Sequence, residues 1–68
     1  MKFQYWIVPG DDVVRTDIDA LYSEIWDDDG WCKNIHYLES IYFAGDGIPI
    51  TQAQAMDMIT KQHVTQPA

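Results

Sequence analysis

The stretch "KFQYWIV", Lys2 to Val8, limits the possible folds more than any other part of the chain. Its aromatic and β-branched residues, closed by Pro9-Gly10, predict a strand. Alternate side chains of a strand point to opposite faces, so Phe3, Tyr5 and Ile7 fall on one side and Trp6 and Val8 on the other. A half-solvated strand alternates apolar with polar residues. This one is apolar on both faces, so something must cover each.

Next comes "TDIDALYSEIWDDDG", where Ile18, Leu21, Tyr22, Ile25 and Trp26 recur at the spacing of a helical stripe. Thr16 is the expected N-cap, with Asp19 in the capping-box position and Asp17 and Asp19 at the positive end of the helix dipole. Gly30 is placed to end the helix in the left-handed conformation. The pattern predicts a helix from Thr16 to Asp29.

"KNIHYLESIYFAG", Lys33 to Gly45, is dense in β formers and is read as a strand. Strict alternation groups Ile35, Tyr37, Ile41 and Phe43, with Glu39 intruding. A bulge at Glu39-Ser40 would group Leu38, Ile41 and Phe43 instead. A hairpin there would give two short strands, although Glu-Ser is poor chemistry for a two-residue turn. One long, bulged strand is the preferred expectation. "GDGIPIT" reads as a loop. "TQAQAMDMITKQ" reads as a helix with Thr51 as N-cap, Gln54 in the capping box and Ile50 stapled onto Ala55. Ala55, Met56 and Ile59, with His63, would form its narrow apolar face.

The expected class is α+β: one small domain over 1–68, ordered from about 2 to 62 with a frayed tail at 63–68. The order is β-α-β-α, or β-α-β-β-α with the hairpin, and the two helices pack on a small sheet. Two strands alone make a marginal sheet in water. A homodimer or another partner would complete it.

At 68 residues there is room for one domain, and a chain this short buries only about 60% of its unfolded surface. The core is well supplied, with 47% apolar residues, three Trp, four Tyr and two Phe, which excludes the disordered class. The single cysteine excludes an internally stapled secreted scaffold. The apolar run before Pro9 is too short for a signal peptide or a membrane span. A soluble, cytoplasmic protein that contacts no membrane is expected.

Chemical motifs fail on spacing. If Gly30 is aligned to the sixth position of a calcium loop, Ile25 falls at the first and His36 at the twelfth. Aligning Gly47 puts Tyr42 first. Cys32 and His36, on one face of the expected strand, would lie about 13 Å apart, too far to chelate one zinc ion. The same kind of separation defeats the thiolate pair Cys32–His36 and the hydroxyl pair Ser40–His36, because nucleophile and base must touch. "AGDGIP" lacks the lysine of a phosphate loop. Cys32 is expected to be a small buried hydrophobe. No catalytic residue, metal or cofactor is implied.

Charge is the remaining signal. The chain carries eleven Asp and Glu against four Lys and Arg, a net charge of −7. This argues against direct nucleic-acid binding and for a basic partner. Every acid but Asp57 lies between Asp11 and Asp46, where the only cations are Arg15 and Lys33. On the expected helix, Asp17, Glu24, Asp27 and Asp28 fall opposite the apolar stripe, with Asp11, Asp12 and Asp29 extending the field. Tyr22 and Trp31 would be aromatic anchors at its rim. Such a row can imitate a phosphate backbone.

In size, acidity and lack of a catalytic constellation the chain resembles, as a class, the small inhibitors made by phages and mobile elements. These block nucleic-acid-handling host proteins, including CRISPR complexes and restriction enzymes. No residue is carried over from that resemblance. It implies a non-catalytic, DNA-mimic-like protein docking on the basic surface of a host protein. The alternative expectation is an assembly subunit that self-associates through strand edges or the aromatic face around Trp6.

Overall fold

The computed structural model describes residues 2–27 and 30–64, with side chains through Lys61. The elements in order are β1 (Gln4–Val8), β2 (Asp12–Asp17), β3 (Tyr22–Asp27), β4 (Gly30–Lys33), α1 (His36–Tyr42), β5 (Ile48–Ile50) and α2 (Gln52–Val64). All strand pairs are antiparallel, in one sheet ordered β4-β3-β2-β1-β5. The α+β class and the number of helices match the expectation. The element order does not.

β1 forms where its sequence places it and is covered on both faces. Tyr5 packs with Val13 of β2 and Ala55 of α2, joined by Phe3, Ile50, Met58 and Ile59. On the other face Val8 packs with Val14 and with Ile41 of α1, joined by Trp6, Ile25 and Tyr37. The sheet is thus the middle of three layers, and both covers come from this chain. The β1–β2 connection closes with Asp11 N–H donating to the Val8 carbonyl at 3.1 Å. Pro9 presets its own φ, and Gly10 takes φ 95°, which suits a type II turn.

Among the described residues of the helix expected from Thr16 to Asp29, none is helical: 16–27 supply the end of β2, a turn and β3. Burial on both sides of two central strands outweighs the helical stripe: Val13, Val14, Thr16 and Ser23 are all fully buried. Thr16, expected as an N-cap, is a buried ladder residue. Its hydroxyl accepts from Trp6 Nε1 at 3.0 Å and shares a hydrogen bond with the Tyr42 hydroxyl at 2.8 Å. Ile18 and Leu21 of the stripe sit in the turn, exposed. Gly30, the expected helix stop, opens β4.

The expected strand over 33–45 is also absent, and α1 occupies its middle. Asn34 Oδ1 accepts from the His36 N–H at 3.0 Å, a local turn just before the N-cap residue Ile35. Buried Ser23 seats that turn over β3: its carbonyl accepts from the Asn34 N–H at 3.0 Å, and its hydroxyl donates to the Asn34 carbonyl. Glu39-Ser40, the expected bulge or hairpin, lies inside the helix. Gly45 at φ 71° ends the helical region, and the Asp46 N–H returns to the Ser40 carbonyl at 3.0 Å. The expected loop over 45–51 contains β5, which pairs with β1 from Tyr5↔Ile50 to Ile7↔Ile48. The helix expected from Thr51 forms as α2. Gln54 N–H donates to Thr51 Oγ1 at 3.1 Å, and Thr51 N–H donates to Gln54 Oε1 at 2.9 Å. Its buried face uses Ala55, Met58 and Ile59, while Met56 points to solvent. α2 runs through Val64; the His63 side chain and residues 65–68 lie outside the described residues.

Candidate functional site

The hairpin distributes the acids instead of aligning them. Asp11 and Asp12 lie at the β1–β2 connection, and Asp27, at the end of β3, lies at the same end of the sheet. Asp28 and Asp29 lie outside the described residues. Asp17 is at the opposite end, where its carboxylate accepts from the Asp19 and Ala20 N–H groups at 3.1 and 3.3 Å. This is the local turn chemistry that Asp favours. Alternation sends Glu24 to the α2 side of the sheet and Asp27 to the α1 side. Cys32 is exposed, where a buried hydrophobe was expected, and its Sγ lies 3.9 Å from Asp27 Oδ2. Among the described residues no group of three or more His, Cys, Asp or Glu converges as a metal site requires.

Glu24, Tyr22 and Trp31 do meet, around Arg15. Arg15 Nε and Nη2 both lie 2.6 Å from Glu24 Oε1, and the Tyr22 hydroxyl donates to Glu24 Oε2 at 2.5 Å. The guanidinium is held between the Phe3 ring at 4.2 Å and the Trp31 ring at 4.1 Å. Burial alone would raise the Glu24 pKa; hydrogen bonds from Tyr22 and Arg15 and the Arg15 charge outweigh it and hold Glu24 below its ordinary value. The hydrogen bond to Glu24 pushes the Tyr22 hydroxyl up. Lys33 lies 5.7 Å over the Tyr22 ring. Carboxylate, guanidinium and hydroxyl satisfy one another, so this cluster braces β2 against β3 and β4.

Three of the four Lys and Arg therefore lie on one side. Arg15 and Lys33 lie on the α2 side, and Lys61 is in α2 itself, 3.1 Å from Asp57. Lys2 precedes β1. Among the described residues of the five strands and α1, the α1 side carries Asp12, Asp27 and Glu39 and no Lys or Arg.

That side also exposes large apolar groups. Leu21 is 70%, Ile35 57% and Phe43 87% exposed. With Leu38 and Glu39 they line an open groove of about 520 Å³ between the β2–β3 turn and α1. Leu21 sits at φ 50°, a conformation that costs a residue with a Cβ about 1–2 kcal/mol and is usually left to Gly or Asn. The aromatic face around Trp6 is not comparably open. Trp6 is half-buried, packs edge-on against Tyr42 at 5.6 Å and hydrogen bonds to Thr16.

Compared with protein-family models, with curated proteins and with solved structures, the chain gives no significant match. Among the described residues no helix is long and apolar enough to cross a membrane.

Proposed function

We propose that the chain is a non-catalytic binding protein that docks on a partner protein with a basic surface. One observation supports the reading: Arg15, Lys33 and Lys61 lie on the α2 side, while the groove of exposed Leu21, Ile35 and Phe43 on the α1 side is lined by Glu39 and by no Lys or Arg. Contiguous exposed apolar groups mark interaction sites, and surrounding charge of one sign selects the partner and speeds encounter. Imitation of a phosphate row is not part of this proposal, because it needed the carboxylates on one helical face.

Basic surfaces of this kind are those that proteins use to hold nucleic-acid phosphates. Docking there would exclude DNA or RNA, so the proposed role is inhibition by occupancy. The test starts by capturing a partner on the immobilised chain and purifying it. Its affinity is then measured at low and high salt, with and without nucleic acid. A basic partner whose affinity falls steeply with salt and that releases nucleic acid on binding is expected. An acidic partner, or binding indifferent to salt, would refute the proposal.

A further inference from the structure

We propose that the groove between the β2–β3 turn and α1 receives an amphipathic segment of the partner, with aliphatic anchors flanked by Lys or Arg. This rests on the preceding reading and specifies its place and chemistry. The core on this side is complete without the groove residues: Val8, Val14 and Ile41 pack together with Trp6, Ile25 and Tyr37. Leu21 is presented by the turn, Ile35 by the start of α1 and Phe43 by its C-cap. None of the three serves the core as a buried residue, and together with Leu38 they make a continuous apolar lining. Anchors of Leu size from a partner segment suit a lining of this kind.

Charge decides the occupant. Glu39 lies in the groove, and Asp19 is in the same turn as Leu21. The adjoining depression, lined by His36, Glu39, Ser40, Phe43 and Ala44, adds no Lys or Arg. A second copy would bring the same carboxylates and a net charge of −7 against its twin. An anionic lipid surface would be repelled in the same way. A segment with Lys or Arg beside its anchors is attracted to Glu39 and to the negative charge of the chain as a whole.

The probe is a synthetic Leu/Lys peptide with leucines at helical spacing, titrated into the isotopically labelled chain while amide shifts are followed. A peptide of the same composition with scrambled spacing is the control. Expected are shifts confined to residues 17–21 and 35–43, and binding about tenfold weaker for the scrambled peptide and for the Phe43→Ser and Leu21→Asn variants. Both variants change exposed side chains, and unfolding curves check that the fold is kept. Shifts confined to Asp11, Asp12, Asp27 and Asp46 would overturn the groove but leave the basic-partner reading standing. No binding by either peptide at low salt would overturn both. A concentration-dependent dimer lost in Phe43→Ser, or binding to anionic vesicles, would overturn the proposal in favour of a second copy or a lipid surface.

Discussion

Replacing Arg15 by methionine tests whether the cluster on the α2 side braces the sheet. Methionine keeps an unbranched apolar stem, so the change isolates what the guanidinium does. Two ring contacts at 4.1 and 4.2 Å are lost, worth about 0.5–1 kcal/mol each at a partly exposed site. A short charge-assisted contact to Glu24 is lost as well, worth about 1.5–3 kcal/mol. With some packing recovered by methionine, the expected cost is about 2–4 kcal/mol at neutral pH. A domain of 68 residues has about 3–10 kcal/mol in total, so the variant should melt about 10 °C or more below the parent. Acid should narrow the gap. Glu24 is held below its ordinary pKa in the fold, so its stabilisation is present above the unfolded carboxylate value, about 4.3, and fades as pH falls through the folded value. Below that point only the ring contacts distinguish the two proteins, and about half of the difference should remain. Urea unfolding followed by tryptophan fluorescence at both pH values measures this. A cost under about 0.5 kcal/mol at neutral pH, or a gap unchanged by acid, would refute the reasoning.

Thr16→Val removes the hydroxyl shared by Trp6 and Tyr42 from a buried site and should cost about 1–3 kcal/mol in urea unfolding, with Thr16→Ser less damaging. Thr51→Ala removes the hydroxyl arm of the α2 capping box, leaving the backbone N–H of residue 51 to donate to Gln54, and should cost about 1 kcal/mol, whereas Thr51→Ser should stay near the parent in thermal melts. Leu21→Asn relieves a left-handed strain while giving up a side chain that is mostly in water. Its stability should therefore lie within about 0.5 kcal/mol of the parent, or above it, by calorimetry.

β1, the Pro9-Gly10 turn and α2 were legible because their signals are local: alternation on one strand, one turn dipeptide, one capping box. The stretch from Thr16 to Asp29 was not, because its decisive contacts are distant in sequence. Glu24 reads as an exposed helix residue until Arg15, nine positions earlier, is placed across the ladder from it. Thr16 reads as a cap until Trp6 and Tyr42 claim its hydroxyl. Two weaker signals were available. Val13, Val14 and Thr16 are a β-branched run, and Tyr22, Glu24 and Trp26 alternate with Ser23 and Ile25. In the stretch from Lys33 to Gly45, the intrusion of Glu39 into an alternating row was itself the sign of a 3.6-residue period. Tyr37, Leu38, Ile41 and Tyr42 fit that period with no bulge.

The fold also decides where the described carboxylates lie. A sequence shows how many carboxylates there are but not where they point, so an acidic helix and an acidic hairpin look alike in composition. Once the hairpin is formed, alternation pairs Glu24 with Arg15 and turns Asp27 to the other face, so these two described acids no longer share a side. The same rearrangement frees Leu21 from an expected helix stripe, and Ile35 and Phe43 from an expected buried strand row. The real core, from Tyr5, Val8, Val13, Val14, Ile41 and Ala55, closes without them. A small domain gains little by leaving three large apolar side chains in water, one of them on a strained turn. That cost has a physical purpose if the three are reserved for contact outside the chain.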